Sequence, residues 1–445
     1  MFPEKFLLRM KEMLGPEFDA YWDSMQRPPK KGVRLNGEKC SREALQRTLP
    51  FALQPVPFSP LSFLAPDDFQ PGAHPLHHAG AFYSQEPSAS CAVTILDPRP
   101  GERVLDLCAA PGGKSTQIAA LLRGKGLLWS NEIVHSRAQI LLSNIERMGI
   151  RNAVVSSAAP PVLEEKLAGF FDRVLVDAPC SGEGMFRKND RAGEEWSEEH
   201  VRACSDRQVQ ILLSGAQCLR EGGVLVYSTC TFSREENEGV VRRFLENRPD
   251  FVQESTGVTF GRPDFDTGLA RRIFPMDGGE GHFAARFRRT SGPGGREDPP
   301  RSPRGKESPA EKLGRDFLRE TLKTVPDDWE SGLCEKGDRL LLLPRALPQT
   351  GGIPILRAGT ELGQLRKGRL IPSHGFFMAC RPEELRQVLS LSFDSPQVAR
   401  FLHGEEIPCG ENGYTAVAVE GVITGFGKGS GGRLKNHYPK GLRTL

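Results

Sequence analysis

Residues 177–180 read Asp-Ala-Pro-Cys, and residues 228–231 read Ser-Thr-Cys-Thr. Each cysteine follows a short apolar run, Val174-Leu175-Val176 or Val224-Leu225-Val226. Runs of that length read as buried strands, so each strand delivers a thiol to its end. In a parallel sheet both ends open on one crevice, with neighbouring strands about 4.8 Å apart. Cys180, Cys230 and the Asp177 carboxyl can then surround one flat substrate. One reaction calls for that set. Carbon 5 of cytosine is a poor nucleophile, and a thiolate added at carbon 6 makes it enamine-like and able to take a methyl group. A carboxylic acid at ring nitrogen 3 assists the addition, and a second thiol assists release. Taken alone, either cysteine is better explained as a small buried hydrophobe. That explanation serves for Cys91, Cys204, Cys218, Cys334, Cys380 and Cys409.

Residues 103–115 form a third candidate: a strand, a loop of small residues and a helix start. The loop is Cys108, Ala109, Ala110, Pro111, Gly112, Gly113 and Lys114. Small residues let a ligand approach the backbone, and the amides of a helix N-terminus are free to bind it. A P-loop would need glycine at position 108, which is cysteine, and the Gly-x-Gly-x-x-Gly nicotinamide fingerprint is absent. A third ligand, S-adenosyl-L-methionine, fits Glu132, an acid closing the second strand where a carboxylate accepts ribose hydroxyls. An ordinary tight turn with a surface glutamate is the bland alternative.

These residues need elements to position them. Strand-length apolar runs lie at 103–107, 127–131, 153–156, 172–176, 223–228 and 282–287. Helical patterns lie at 114–123, 134–148, 205–220 and 233–247. The alternation predicts an α/β fold with a mainly parallel sheet covered on both faces. Ser233 and Glu236 have the spacing of a capping box for the last helix. Ahead of this region, residues 1–25 predict two helices, with Phe6, Met10, Met13 and Leu14 on one face of the first and Gly15-Pro16 stopping it. Residues 50–75, rich in proline and phenylalanine, read as irregular. Residues 290–309 read as a basic flexible linker. Beyond it a small α+β unit is expected, with a helix at 310–324 and strands at 339–343, 353–357 and 414–424.

The 445-residue chain is 38% hydrophobic and 26% charged, the balance of a soluble globular protein rather than a disordered one. Its net charge of +3 is too small to announce a nucleic-acid binder by itself. The N-terminus has no signal-peptide pattern, no apolar run is long enough to span a membrane, and none of the ten cysteines forms Cys-x-x-Cys. The expectation is a reduced, cytoplasmic protein with no disulfide and no metal.

The quoted segments together resemble the Nop/Sun family of RNA (cytosine-5) methyltransferases, and within it the bacterial RsmF-type 16S rRNA subgroup. The matching residues are 80–88, Asp106 to Lys114, Asn131-Glu132, Asp177 to Phe186 and Ser228 to Thr231. The resemblance implies a Rossmann-like, S-adenosylmethionine-dependent methyltransferase domain at 76–289 with a mostly parallel seven-stranded sheet. It also implies an N-terminal RNA-binding α/β extension at 1–75 and a C-terminal α+β, PUA-like RNA-binding domain at 310–445. Ile371 to Gly375 and Leu434 to Arg443 resemble that C-terminal region. Cys230 would be the nucleophile and Cys180 the thiol that helps release product. In DNA cytosine methyltransferases the Pro-Cys thiol is the nucleophile, so this assignment rests on the resemblance and not on spacing. Cys108 to Lys114, Glu132 and Asp177 would contact the cofactor or the base. The chain departs from the family at 155–160, where the usual acid after the third strand is missing.

The implied partner is RNA, 16S rRNA or the small ribosomal subunit. The last 21 residues carry Lys428, Arg433, Lys435, Lys440 and Arg443 with Phe426, His437 and Tyr438 interleaved and no acid, a pattern suited to phosphate contact and base stacking. Arg187 and Lys188 read either as phosphate contacts or as a solvated pair. Arg286, Arg288 and Arg289 extend the basic linker. His74, His77 and His78 read as a loop without catalytic duty. Two other functions stay open at this point: a transfer-RNA enzyme, and an assembly factor that has lost catalysis.

Overall fold

The structure is a computed structural model and describes residues 2–188, 190–294 and 307–443. Its centre is a parallel sheet. The strands are β1 (Arg103–Asp106), β2 (Leu127–Asn131), β3 (Ala153–Ser156), β4 (Phe171–Asp177) and β5 (Leu219–Thr229), in the spatial order β5-β4-β1-β2-β3. The chain runs outward from β1 through β2 to β3, then returns to the other side of β1. The strand order therefore reverses at the β1/β4 boundary, where open α/β sheets bind ligands beyond the strand ends.

Alternation explains how these strands are buried. Leu105, Trp129, Val174, Val176, Leu225 and Tyr227 face one core, while Val104, Leu128, Leu175, Val224 and Val226 face the other. Helices α1 (Gly113–Leu122) and α2 (His135–Arg147) cover the second face with Ile118, Leu122, Leu141 and Ile145. Helices α3 (Glu198–Cys218) and α4 (Glu238–Asn247) cover the first with Val209, Leu212, Val240 and Phe244. Gly215 lets α3 lie close, since a Cβ there would stand 2.9 Å from Val176 Cγ2.

The sheet has ten strands, not the expected seven. Strand β6 (His282–Arg289) runs antiparallel to β5, and the short segments 251–254, 262–263 and 271–273 extend that side. At the opposite edge β7 (Ile355–Ala358) pairs antiparallel with β3, through Ile355–Ser156 and Ala358–Val154. This strand arrives from beyond the linker, and its pairing removes an exposed edge.

Other expectations change. Residues 50–75 hold strands 54–56 and 59–65 of a four-stranded N-terminal sheet. Pro60 hid the second strand, but it sits at a register shift between the Val56–Ser59 and Pro55–Phe63 pairs, where no ladder bond is needed. Helix α4 begins at Glu238 with no side-chain cap, so Ser233 and Glu236 are not its capping box. His77 and His78 lie half-buried in a short helix, and His74 caps it by accepting from Leu76 N. Arg286 and Arg288 pair with Glu254, and Arg289 with Asp250, so none of them serves as free charge. Of the linker, residues 295–306, with Arg296, Arg301, Arg304 and Lys306, lie outside the described residues.

Residues 310–445 carry two sheets besides β7: strands 333–336, 339–342, 360–366 and 369–372, then strands 388–391, 407–408, 413–419, 422–430 and 433–436. The single strand expected at 414–424 is a hairpin turning on Glu420 (φ 48°) and Gly421 (φ 76°), two left-handed residues as a tight hairpin requires. Residues 371–375 lead into helix α5 (His374–Ala379), which docks against α2. Gly375 lies beside Glu146 there, and Arg151 Nε donates to Ala379 O at 2.6 Å. Phe426 and Tyr438 are each 2% exposed. Phe426 stacks on Phe377 at 4.3 Å, and the Tyr438 hydroxyl lies 3.1 Å from His78 Nδ1. Both rings are core residues, closed to base stacking. Among the described residues, no helix is long and apolar enough to cross a membrane and no group of three or more His, Cys, Asp or Glu could hold a metal ion.

Candidate active site

Asp177 of β4 pairs in register with Ser228 of β5. Cys180 and Cys230 follow three and two residues later, on the loops leaving those strands. Their sulfurs meet at 3.3 Å. Asp177 Oδ1 accepts from Ser228 Oγ at 2.8 Å, and Oδ2 accepts from Lys114 Nζ at 2.7 Å. Lys114 stands on the first turn of α1, so the glycine loop and the thiol pair share one polar bridge. The two sulfurs, Asp177 and Lys114 therefore gather at the switch point that the strand order creates.

The charges follow from burial and partners. The Cys180 thiol is pushed well above its usual range, first by the hydrogen bond it shares with the Cys230 sulfur and then by burial. The Cys180 group therefore stays a thiol. Burial works against the Lys114 ammonium, but the Asp177 carboxylate outweighs it and the net push is upward. Cys108 is pushed up by burial and by Asp106, and remains a thiol.

The loop is held from below and behind. Ala109 N donates to Asn131 O at 2.8 Å. The Asn131 amide donates to Ala158 O and accepts from Ala158 N, so the position that lacks the family acid is occupied by backbone bonds. Gly112 has φ 114°, which only glycine adopts freely. From the N-terminal sheet, buried Arg34 donates to Gly113 O at 2.7 Å, to Thr116 Oγ1 at 2.5 Å and to Gln85. Glu132, 3% exposed, accepts from Val134 N at 2.9 Å and pairs with Arg137 at 3.2 Å.

Beneath the loop, Asp106 is fully buried. Its Oδ2 accepts from Ser115 Oγ at 2.7 Å, while Oδ1 has no partner. Burial pushes this carboxyl up to about 7. A buried acceptor left unpaired beside a glycine loop is what a polar ligand or its water would satisfy. The residues thus fit S-adenosyl-L-methionine. Sequence reasoning missed Asp106 and Arg34 as site residues. Asp106 lay inside a quoted motif, whereas Arg34 gave no local sign. Arg187 is not a phosphate contact. It pairs with buried Glu280 at 2.8 Å and donates to Ser24 O.

Family models cover nearly the whole chain. Residues 2–87 match the N-terminal domain of 16S rRNA methyltransferase RsmF, and residues 93–288 match 16S rRNA methyltransferase RsmB/F. Residues 316–380 match the RsmF rRNA methyltransferase first C-terminal domain, and residues 388–444 match the methyltransferase RsmF PUA domain. The chain is 33% identical to ribosomal RNA small subunit methyltransferase F of Vibrio campbellii over 99% of its length and 97% of that protein's. The chain belongs to the RsmF family of 16S rRNA methyltransferases.

The RsmF relative from Klebsiella pneumoniae is likewise 33% identical, across 99% of this chain and 96% of its own. Among solved structures, a methyltransferase homolog protein from Pyrococcus horikoshii superposes with TM-score 0.57 and 29% identity, covering 65% of this chain and 95% of that one. The structure of NSun6 from Pyrococcus horikoshii with SFG gives TM-score 0.58 at 23% identity over 65% of this chain and 99% of that one, a likeness of fold alone. The RsmF-family fold seen here is thus a Rossmann-like methyltransferase with a PUA domain, and its cofactor is S-adenosyl-L-methionine.

Proposed function

We propose that this protein methylates carbon 5 of a cytosine in 16S rRNA through a covalent adduct, with Cys230 as nucleophile. The observation that carries the reading is the 3.3 Å approach of the two sulfurs beside the Lys114–Asp177 pair. Loop residues 108–114, Glu132 and Asp177 would hold S-adenosyl-L-methionine, which supplies an electrophilic methyl group when bound. The protein's own groups prepare the base. The Cys230 thiol loses its proton to water and its sulfur adds to carbon 6, while ring nitrogen 3 takes a proton from the pair that shares one between Lys114 Nζ and Asp177 Oδ2. Carbon 5 then carries the electron density needed to accept the methyl group. Afterwards a water molecule takes the carbon 5 proton, the carbon 6–sulfur bond breaks to release the Cys230 thiolate, and ring nitrogen 3 returns its proton to the Lys114–Asp177 pair. The Cys180 thiol, 3.3 Å from the Cys230 sulfur, stabilises the departing thiolate. The target base must leave its stack, because carbons 5 and 6 are attacked from the ring face.

Two variants test the roles. Cys230→Ala should abolish methyl incorporation while cofactor binding persists. Cys180→Ala should accumulate a protein–RNA adduct that survives a denaturing gel. An adduct in Cys230→Ala instead would reverse the two roles. Bisulfite mapping of RNA from a deletion strain should lose a 5-methylcytosine in 16S rRNA, and loss in transfer RNA alone would overturn the substrate.

A further inference from the structure

The loops bearing the two sulfurs are tied across to each other by buried carboxylates. Glu183 follows Cys180 by three residues and is 2% exposed. Its Oε2 accepts from Phe232 N and Thr231 Oγ1, both at 2.9 Å and within two residues of Cys230. Its Oε1 accepts from Trp196 Nε1 at 2.9 Å. Glu236 follows Cys230 by six residues, is fully buried, and reaches the opposite way. It accepts from Ser181 N at 2.9 Å and from the Ser181 hydroxyl, both adjoining Cys180, and from Gln208 Nε2 at 2.8 Å. Ser181 Oγ and Thr231 Oγ1 stand 2.9 Å apart between the two acids, and Gly184 N donates to Cys230 O at 2.9 Å.

We infer that Glu183 and Glu236 form a reciprocal brace that sets the separation of Cys180 and Cys230, making both positioning residues for release of the covalent adduct. The release role rests on the function proposed above, whereas the placement of the sulfurs does not. The chemistry of the partners supports the brace. N–H and O–H groups surround both carboxylates, and only an acceptor-only group with several lone pairs can take bonds from all of them. A glutamine would turn one oxygen into an N–H₂ facing those donors. Burying two acids is costly, and burial does push both above the ordinary carboxylate range. No salt bridge offsets either among the described residues. Apolar side chains would fill the same space more cheaply, so the acids are explained by the orientation they impose. Glu236 also adds to the upward push on the Cys180 thiol, behind the Cys230 sulfur and burial.

The test uses the full chain in two arms. Without RNA, diamide removes both thiol hydrogens and joins Cys180 to Cys230 as a disulfide, followed by mass spectrometry. Glu236→Gln and Glu183→Gln should slow this joining at least about tenfold, as expected when a contact opens by an ångström. Ser181→Ala and Thr231→Ala, milder changes to the same brace, should slow it less and guard against a glutamine variant that does not fold. With 16S rRNA and S-adenosyl-L-methionine, the brace variants should lower kcat, leave KM unchanged and retain a denaturation-resistant adduct. Folded variants that join their sulfurs at the wild-type rate would overturn the brace. Slowed joining with unchanged kcat would overturn its part in release. If the wild-type protein methylates no RNA, the proposed function fails while the diamide arm still reads the brace.

Discussion

Lys114 ties the glycine loop to Asp177, at the end of the strand that leads to Cys180. The sequence presented it as the end of a glycine loop. In the structure its ammonium is only 12% exposed and spends its charge on Asp177. Because Asp177 raises Lys114 further above its already high range, the ammonium stays protonated throughout the neutral region, and the Lys114–Asp177 proton is present whenever the base arrives. Lys114→Met removes that proton and leaves Asp177 without its cation. Single-turnover methyl transfer should slow by about 10²–10⁴, the usual contribution of a positioned acid. No adduct should accumulate, because the addition itself is impaired. A Lys114→Met protein that traps adduct as Cys180→Ala does would place the lysine at release instead.

At the scale of elements, the strand at 271–273 fastens the Cys230 loop to the sheet. Arg272 is 2% exposed and bonds to Glu238 at the start of α4, with its Nε 2.7 Å from Oε1. Its NH1 donates to Phe232 O at 2.7 Å, and its guanidinium lies over the Phe265 ring at 4.7 Å. Arg272→Ala leaves the Glu238 carboxylate buried without its cation, with Phe265 N still donating at 3.2 Å, at an expected cost of about 3–5 kcal/mol. Urea unfolding monitored by near-ultraviolet circular dichroism measures it. Combining Arg272→Met with Glu238→Leu should recover most of that loss, since apolar replacements of a buried pair are often neutral. A double variant as unstable as Arg272→Ala would show that the bond to Phe232 O dominates.

At the scale of the whole molecule, the N-terminal sheet, helix α2 and the C-terminal half meet around half-buried histidines. His77 packs beside Phe82 and accepts Arg147 at its carbonyl, while His374 faces Tyr438. Burial pushes His77 and His374 down to about 3 each, helped at His77 by Arg147, His78 and His74 and at His374 by Lys39. Their ordinary value is about 6.5, so between there and 3 the opened joint binds protons that the closed joint does not. Stability therefore rises with pH across that window and is lost as pH falls below about 6.5. At pH 5 the amides of residues 76–78 and 374–379 should lose hydrogen-exchange protection before those of β1, β4 and β5. Unchanged protection of those two helices at pH 5 would contradict this account of the joint.

The sequence by itself determined the alternation of strands and helices, the glycine loop after β1 and a thiol at the end of each of two strands. These are readable because period, turn chemistry and chain order are local properties. It misjudged Glu236, Phe426, Tyr438 and the arginines at 286–289, each of which looked like a cap, a base-stacking ring or free charge. Only the tertiary structure decided that β7 crosses from beyond the linker to close the sheet, that Lys114 meets Asp177, and that the sulfurs touch at 3.3 Å. Cys180 and Cys230 are 50 residues apart, and β7 lies about 200 residues from its partner β3. Such contacts depend on strand order and on which buried donors find which acceptors, and no local pattern along the chain encodes either.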